Sequence, residues 1–247
     1  MLSCADGKGD PSDRERFLTI FQPELIRRAS DLLGFACEYS RQHYNHDLYS
    51  HFGIPFPISI QRSVLKRQAE YLAGRVVADH ALKALPVSSS DVLIGRNREP
   101  VWPDGVVGSI SHTDGIACAV LAMQNKVRAV GIDIESYISQ EVLNDIENTI
   151  FDSSEISLLK TAEFKNYSIA ATVAFSAKES LFKALFPFVQ YYFGFDSVRL
   201  GSISKLDRTL RLELTSGLST NEFLKGHHFQ VDFQIFDRKV LTVVVIK

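Results

Sequence analysis

One short stretch of the chain is predicted to aim two carboxylates at the same point. In a β-strand over residues 131–135, side chains alternate between two faces, so Asp133 and Glu135 share one face and Ile132 and Ile134 share the other. Paired carboxylates of this kind are typical ligands of a hard cation such as Mg²⁺. The same alternation also describes an ordinary strand with one solvent-facing side. The pattern by itself leaves both interpretations open.

A second stretch, predicted as a helix over about residues 168–186, adds one carboxylate and two cations. Glu179 follows Lys178 directly and precedes Lys183 by one helical turn, and Pro187 is expected to end the helix. The apolar residues recur at helical spacing and are expected to face a core: Ala174, Ala177, Leu181 and Leu185. Taken alone, the Glu179–Lys183 pair also fits a solvated salt bridge, which contributes only roughly a few tenths of a kcal/mol.

The two stretches form a site only if they converge. Glu179 would then add a third carboxylate to the pair on the strand. Because three converging carboxylates repel one another, a Mg²⁺ ion and the nearby Lys178 and Lys183 become necessary partners. If they converge, Asp133, Glu135 and Glu179 together suit a magnesium site, and if they do not, each carboxylate belongs to an ordinary solvated face.

A strand that ends in Ser111-His112 supplies groups suited to an anion. A Ser-His hydrolase is not favoured, because adjacent strand residues face opposite sides and no nucleophile-elbow glycine pattern is present. A hydroxyl and an imidazole at a strand end are better placed to contact a phosphate. Arg98, in the preceding loop, adds a cation that can bind phosphate through two nitrogens. No Walker-type loop and no G-x-G-x-x-G fingerprint occurs.

The helix predicted over residues 63–85 carries a basic face. Its cations fit an ordinary solvated surface or part of a phosphate site: Lys66, Arg67, Arg75 and Lys83. A buried stripe is expected on the other side, made of Leu65, Ala69, Leu72, Val76 and Leu82. Gly74 lies inside this helix, where glycine costs about 1 kcal/mol relative to alanine, so close packing or ligand approach is expected there.

Length and composition limit the classes of protein to which the chain could belong. A chain of 247 residues, 45% hydrophobic and 23% charged, suffices for two small domains that each bury a core. The net charge of −2 argues against a general nucleic-acid binder. Three widely spaced cysteines, Cys4, Cys37 and Cys118, form no disulfide or zinc pattern. With neither a signal peptide nor ~20 consecutive apolar residues, the chain is predicted to be cytoplasmic without a membrane span.

The remaining segments predict a mixture of helices and strands. Residues 1 to about 16 are expected to fray, residues 17–33 to form a helix, 35–40 a strand and 44–51 a loop. His43, His46 and His51 lack the spacing of metal ligands. Residues 109–135 are expected to form an antiparallel meander, followed by helices over 140–150 and 153–163. Four later segments predict a small antiparallel sheet: 198–200, 210–214, 229–236 and 240–246.

The order of these motifs resembles that of the 4'-phosphopantetheinyl transferases, most closely the siderophore-associated subtype, the enterobactin synthase component D group. The resemblance covers about residues 60–190, and it depends on the joint occurrence of segments that are each common alone. The segments are Arg67-Gln68-Ala69-Glu70-Tyr71-Leu72-Ala73-Gly74-Arg75, Arg98-Glu99-Pro100 with Trp102-Pro103-Asp104-Gly105, Gly108-Ser109-Ile110-Ser111-His112, Gly131-Ile132-Asp133-Ile134-Glu135, and Phe175-Ser176-Ala177-Lys178-Glu179 with Lys183.

The resemblance implies an α+β fold of two similar subdomains related by a pseudo-twofold axis. Each would be a small antiparallel sheet packed with helices, residues 1–128 and 129–247, with coenzyme A in the cleft between them. It implies metal ligation by Asp133, Glu135 and Glu179, and catalytic roles for Glu179, Lys183 and Asp133. It also implies coenzyme A binding by Arg67, Arg75, Arg98, Ser111, His112, Lys178 and Lys183. Glu155 matches a further acidic position of the family, whose role stays open.

The activity that the resemblance implies is Mg²⁺-dependent (or Mn²⁺-dependent) transfer of 4'-phosphopantetheine from coenzyme A to a serine of an apo carrier protein, such as a carrier domain of a nonribosomal peptide synthetase. A monomeric enzyme of siderophore biosynthesis is expected. Exposed aromatic residues beside the helix could receive the carrier, or they could belong to the core: Phe188, Tyr191, Tyr192 and Phe193. A metal-dependent phosphohydrolase and a non-catalytic coenzyme A-binding module are the alternatives.

Overall fold

A computed structural model describes residues 11–87, 91–218 and 221–247. Cys4 and most of the segment that was expected to fray, residues 1–10, lie outside the described residues. Cys37 and Cys118 are buried free thiols, as expected of reduced cysteines. Within the described ranges, no helix is long and apolar enough to cross a membrane.

Both halves of the chain mix helices with strands. The first contains α1 (Pro11–Phe17), β1 (Leu18–Phe21), α2 (Glu24–Arg28), β2 (Leu33–Tyr39), α3 (Asp47–Phe52), α4 (Ile58–Gln61), α5 (Leu65–Leu82), β3 (Leu93–Ile94), β4 (Pro100–Val101), β5 (Val106–Thr113) and β6 (Ile116–Met123). The second contains β7 (Ala129–Ser136), α6 (Gln140–Ile150), α7 (Ser153–Thr161), α8 (Tyr167–Val189), β8 (Val198–Ser204), β9 (Thr209–Leu214), β10 (His228–Phe236) and β11 (Lys239–Ile246).

The strands form two principal sheets, and every pairing in them is antiparallel. The first sheet has the order β1-β2-β6-β5 and the second has the order β7-β11-β10-β9-β8, while β3 and β4 form a small separate hairpin. Each principal sheet carries one long helix, α5 on the first and α8 on the second. The predicted α+β fold with two helix-covered antiparallel sheets is confirmed.

The two sheets also pack against each other through their remaining faces. On the first sheet, Ala117 and Ala119 of β6 contact α5, whereas the alternate residues Cys118 and Val120 belong to the core shared with the second sheet. Ile132 and Ile134 of β7, with Leu241 and Val243 of β11, complete that shared core. Both faces of β6 and β7 are therefore covered, which explains why β6 is apolar and buried along nearly its whole length and why β7 is buried as far as Ile134.

The seam between β5 and β7 is bridged by serine side chains. The Ile132 amide donates to Ser109 Oγ at 3.1 Å, and the Ile134 amide donates to Ser111 Oγ at 3.3 Å. The predicted meander over residues 109–135 is correct for β5 and β6 but wrong for β7, which pairs with β11. Because β2 and β5 already flank β6, no side of β6 remains for a third strand.

Three local predictions from propensity are wrong. Residues 17–33 form β1 and the short α2 instead of one helix, because residues 18–21 pair with β2. Residues 47–52 form α3 instead of a loop, and Tyr49 of this helix is buried against α5. Pro187 lies inside α8, which continues to Val189 before Gln190 adopts a left-handed conformation. Tertiary contacts outweigh local propensity in the first two cases.

The other predicted elements are confirmed within a few residues at their ends. These are β2, α5, β5, β6, α6, α7, α8 and the four C-terminal strands. In the predicted stripe of α5, Leu65 is 64% exposed, whereas the other four residues are buried. Close packing explains the glycine at position 74, since a Cβ there would lie only 3.0 Å from Ile110 Cγ2.

Candidate functional site

Lys183 and Asp133 form the centre of an acidic site at the seam between the sheets. Lys183 Nζ donates to Asp133 Oδ1 at 2.7 Å, to Ser111 Oγ at 2.9 Å and to the Ile132 carbonyl at 3.1 Å. Burial alone would lower the Lys183 pKa, but the Asp133 carboxylate more than offsets this effect, so the pKa is raised. The lysine is therefore held in its charged form beside the carboxylate.

Gly131 permits the close approach of α8 that brings Lys183 to this point. A Cβ at residue 131 would lie 1.9 Å from the Ser180 carbonyl oxygen and 2.7 Å from the Ala184 amide nitrogen. Those contacts are far inside van der Waals distance, so only glycine allows the helix to lie directly on β7 at this level. The glycine that precedes the acidic residues in sequence thus positions the helix that faces them.

Glu135 and Glu179 share the electrostatic environment of Asp133. Burial, reinforced by the Asp133 charge, raises the pKa of Glu135 to about 8. Burial and Asp133 also raise the pKa of Glu179, while Lys183 acts in the opposite direction. Asp133 Oδ2 is buried and has no hydrogen-bond partner among the described residues. The site therefore concentrates more negative charge than Lys183 balances.

The carboxylate oxygens of Asp133, Glu135 and Glu179 are of the kind that hard divalent cations prefer as ligands. In the part of the chain that the structure describes, no three His, Cys, Asp or Glu side chains are gathered closely enough to ligate one metal ion directly. The unpartnered Asp133 oxygen nevertheless fits such an ion, which would supply it with a partner. Burial and the Asp133 charge raise the pKa values of Glu135 and Glu179, and a cation would offset both effects by favouring the ionised carboxylates.

A cleft of about 500 Å³ lies next to this acidic site. Its lining residues are Ser59, Ile60, Ser63, Arg67, Glu70, Tyr71, Gly74, Arg75, Ile94, Arg98, Pro100, Ile110 and His112. All of them come from the first half of the chain, so the expectation of a ligand cleft between the two halves stays a prediction. His112 connects the cleft with the acidic site, since Lys183 and Asp133 both influence its pKa.

Arg75 is the clearest anion-binding group of the cleft. It is 8% exposed, and its Nε and Nη1 atoms have no hydrogen-bond partner within the described ranges. Its Nη2 donates weakly to the Leu93 carbonyl at 3.4 Å, and its guanidinium lies 4.9 Å from the centre of the Tyr71 ring. A buried guanidinium with unused donors is costly by itself and is well suited to an anionic ligand.

Arg67 and His112 form a second polar group in the cleft. Arg67 Nη1 donates to His112 Nε2 at 2.6 Å, and the Glu70 carboxylate faces both side chains. Burial and the neighbouring Arg67 lower the pKa of His112 to about 4, so its imidazole is neutral at physiological pH. Arg98 lines the same cleft and is exposed.

Three predicted ligand-binding residues lie outside this cleft, namely Ser111, Lys178 and Lys183, the last of which belongs to the acidic site. Ser111 faces the seam, where its hydroxyl donates to Asp133 Oδ1 at 2.8 Å, because strand alternation places it opposite His112. Lys178 is 2% exposed, and its Nζ lies 2.8 Å from Glu155 Oε1 and donates to the Ile150 carbonyl at 2.8 Å. These positions differ from the phosphate contacts expected of Ser111 and Lys178, since their polar atoms are already engaged by protein groups.

Sequence reasoning missed the partner of Lys178 and the role of Glu155. Glu155 completes a capping box with Asp152 at the start of α7 and accepts a hydrogen bond from the Leu200 amide at 2.7 Å. The sequence pattern Asp-x-x-Glu before an apolar run signals the cap, but nothing in it signals the lysine 23 positions later. Glu155 thus joins α7, α8 and β8.

An aromatic cluster borders the same small pocket as Glu179. Phe182, Phe186, Tyr192 and Phe193 contact one another, and the Phe182 and Tyr192 rings are stacked with centres 5.4 Å apart. A pocket of about 200 Å³ adjoins this cluster, and its lining residues are Lys178, Glu179, Phe182, Tyr192, Phe193, Gly194, Phe195 and Val198. Tyr192 is 71% exposed and Tyr191 is 39% exposed, whereas Phe188 and Phe193 pack against the core.

The fold and the site together define a two-part α+β protein in which an acidic centre adjoins a basic cleft. Residues 57–122 match the 4'-phosphopantetheinyl transferase N-terminal domain, and residues 129–243 match the 4'-phosphopantetheinyl transferase superfamily. The chain therefore belongs to the 4'-phosphopantetheinyl transferase superfamily. Members of this superfamily use coenzyme A as the substrate, act on carrier proteins and are generally metal-dependent.

Individual proteins with known names are similar to most of the chain. Enterobactin synthase component D of Salmonella typhi is 38% identical over 169 residues, which cover 68% of each chain. The 4'-phosphopantetheinyl transferase PptT of Mycobacterium tuberculosis is 34% identical over 145 residues, or 57% of this chain and 61% of the relative. The 4'-phosphopantetheinyl transferase Npt of Nocardia iowensis is 30% identical over 173 residues, which cover 66% of this chain and 74% of the relative.

Proposed function

We propose that the protein transfers 4'-phosphopantetheine from coenzyme A to a serine hydroxyl of an apo carrier protein. The serine oxygen forms a bond to the phosphorus that bears the pantetheine arm. The bond from that phosphorus to the bridging oxygen breaks, and adenosine 3',5'-bisphosphate leaves. The serine proton passes to a base. The observation that carries this proposal is the buried Asp133 carboxylate, with one oxygen bound by Lys183 and the other unpartnered, in a chain of this family.

Asp133, Glu135 and Glu179 are proposed to hold Mg²⁺, with Mn²⁺ as the alternative ion. A bound divalent cation supplies charge neutralisation for the pyrophosphate of coenzyme A. Lys183 keeps its positive charge beside Asp133 and can stabilise charge that develops on the leaving oxygen. Glu179 is the proposed base, since its raised pKa brings its proton affinity closer to neutral pH. A water molecule held by Asp133 is the alternative base.

The basic cleft is proposed to bind the nucleotide end of coenzyme A. Arg75 offers unpartnered donors, and Arg67, Arg98 and His112 line the same space, so the four side chains suit the 3'-phosphate and the adjoining nucleotide. Ser111 is proposed to act through Asp133 and Lys183, to which it is hydrogen bonded.

The proposed acceptor is a carrier domain of a nonribosomal peptide synthetase in a siderophore pathway, because enterobactin synthase component D is the relative at 38% identity. Tyr191 and Tyr192 are the proposed contact points for the carrier, since both are exposed and Tyr192 lines the pocket that also contains Glu179. We further propose a monomeric cytoplasmic enzyme whose two halves meet at residues 128 and 129, a division supported by the separate sheets on either side.

Intact mass spectrometry tests the proposal. Several apo carrier proteins are incubated with the enzyme, coenzyme A and MgCl₂, and a mass increase equal to one phosphopantetheine group is expected on the carrier. The matched control is the same carrier with its acceptor serine replaced by alanine. Release of adenosine nucleotide without any carrier mass change would indicate a phosphohydrolase instead. Binding of coenzyme A without turnover would indicate a non-catalytic module.

A further inference from the structure

Glu70 is an acidic side chain inside a cleft whose other charged residues are cations. It is 7% exposed and lies on the face of α5 that lines the cleft. Its Oε2 lies 3.8 Å from His112 Nδ1 and 4.0 Å from Arg67 Nη1, and its Oε1 lies 3.8 Å from Lys66 Nζ. A carboxylate at this point repels an anionic ligand directly, so its presence calls for another explanation.

The hydrogen bond between Arg67 and His112 supplies that explanation. Because Arg67 Nη1 is always a donor, His112 Nε2 must accept, and the single proton of the neutral imidazole is then on Nδ1. Nδ1 is the atom that faces Glu70. The carboxylate thus attracts both the Nδ1 proton and the guanidinium, and it favours one tautomer and one orientation of the pair.

Besides its hydrogen bond to His112, the Arg67 side chain has the Glu70 carboxylate to hold it in the cleft, and it is otherwise 44% exposed. A long exposed side chain loses conformational entropy when it is ordered by a ligand. Ordering the side chain in advance through Glu70 removes part of that cost.

We propose that Glu70 is a positioning residue that makes the enzyme selective for the 3'-phosphate of coenzyme A, by holding Arg67 and His112 in the arrangement that contacts this phosphate. The inference rests on the proposed function of the cleft. Glu70 itself is not a ligand of the phosphate. Its effect is therefore confined to substrates that carry the 3'-phosphate.

Steady-state kinetics with coenzyme A and 3'-dephospho-coenzyme A test the inference. Glu70→Gln keeps the shape of the side chain and removes its charge. We expect the KM for coenzyme A to rise about tenfold, as for the loss of one charge-assisted contact, with kcat within about twofold of wild type. The KM for 3'-dephospho-coenzyme A should stay unchanged. Glu70→Asp keeps the charge at a greater distance and should give an intermediate KM for coenzyme A.

The matched control is Asp79→Asn, an acid-to-amide change on the same helix that removes the partner of Lys83 outside the cleft. It should leave both KM values unchanged. Equal changes in both KM values for Glu70→Gln, or a change in kcat alone, would overturn the inference. If Arg67→Ala abolishes the preference for coenzyme A but Glu70→Gln does not, the inference fails and the proposed cleft stands. If neither variant alters the preference, the proposed phosphate site fails as well.

Discussion

Lys178 Nζ lies 2.8 Å from Glu155 Oε1, and the two side chains are only 2% and 3% exposed. The pair is further bound by the Ile150 carbonyl and the Leu200 amide, so both charges are engaged on several sides. The pair joins α8 to α7 and β8, and Lys178 directly precedes Glu179 in α8. A buried ion pair contributes little over an apolar pair, but it becomes costly when one partner is removed.

The first prediction concerns this pair. Glu155→Gln keeps one acceptor oxygen for the backbone amides of Asp152 and Leu200, which bond to the two carboxylate oxygens, and it leaves the Lys178 charge buried and unpaired. We expect the free energy of unfolding to fall by about 3–5 kcal/mol, measured by guanidinium denaturation. The double variant Glu155→Leu with Lys178→Met should be more stable than Glu155→Gln. Lys165→Ala, at an exposed position, serves as the control and should have no measurable effect.

The second prediction separates activity from stability at Lys183. Lys183→Ala removes the cation beside Asp133 and should lower kcat about 10²–10³-fold, as for the loss of one group that stabilises developing charge. The free energy of unfolding should fall by less than the ~3–5 kcal/mol expected when a fully buried charge loses its partner, because Lys183 is 27% exposed and water can reach the carboxylate that it leaves. Transfer rates and denaturation curves measured on the same preparation decide the matter. A large loss of stability with little loss of kcat would indicate a structural salt bridge.

The third prediction tests Glu179 as the base. Glu179→Gln should retain the fold and the binding of coenzyme A, while kcat falls about 10²–10⁴-fold, as expected when a general base is removed. Isothermal titration measures Mg²⁺ and coenzyme A binding, and mass spectrometry of the carrier measures transfer. Normal transfer together with retained Mg²⁺ binding would rule Glu179 out and favour the water molecule held by Asp133.

The fourth prediction concerns pH and follows from Glu135. In the folded protein the Glu135 carboxyl has a pKa of about 8, so it keeps its proton up to about that pH, whereas the usual carboxyl pKa is 4.5. Between these values the folded state holds more protons than the unfolded chain, so the contribution of Glu135 to stability falls as pH rises. Unfolding measured without divalent ions should show this fall, and Glu135→Gln should flatten it.

Magnesium should reduce the same pH dependence. A bound divalent cation favours the ionised carboxylate and lowers its pKa, so stabilisation by MgCl₂ is expected to increase from pH 6 to about 8. The thermal midpoint with and without MgCl₂ measures the effect. Equal stabilisation of wild type and Glu135→Gln at every pH would exclude Glu135 as a ligand.

The fifth prediction tests the close contact at Gly131. Gly131→Ala should destabilise the protein by at least about 1–3 kcal/mol, the usual cost of overpacking, because the new Cβ collides with backbone that cannot move alone. Displacement of α8 should also reduce kcat. Gly201→Ala is the control, since a Cβ there meets its nearest neighbour at an ordinary 3.5 Å. Equal effects of the two substitutions would argue against the contact.

Much of the fold follows from local patterns in the sequence. The period-two alternation at Asp133 and Glu135 and the helical spacing around Glu179 predict β7 and α8, and the described strand and helix agree. Such patterns indicate which face of a helix or strand is buried, because apolar residues recur along that face. The segment 17–33 was mispredicted because its strand depends on pairing with β2.

The position of the candidate site could be predicted only in part. Sequence spacing indicates that Asp133 and Glu135 share a face, but it does not indicate that Ser111 turns toward Asp133 or that Lys178 pairs with Glu155. Ser111 and Asp133 are 22 positions apart in the sequence, Glu155 and Lys178 are 23 positions apart, and in each pair the two residues lie on different helices or strands. Such pairings depend on how helices and sheets pack, which the local pattern does not encode.

The serine bridges across the seam bear on what each half could do alone. The amides of Ile132 and Ile134 are satisfied by side chains of Ser109 and Ser111, so no backbone ladder closes β7 on that side. If the chain were cut near residue 126 and the halves expressed separately, each would present an unpaired strand edge beside an apolar face. Exposed edges of this kind recruit other strands, so the isolated halves should aggregate and regain solubility when they are produced together.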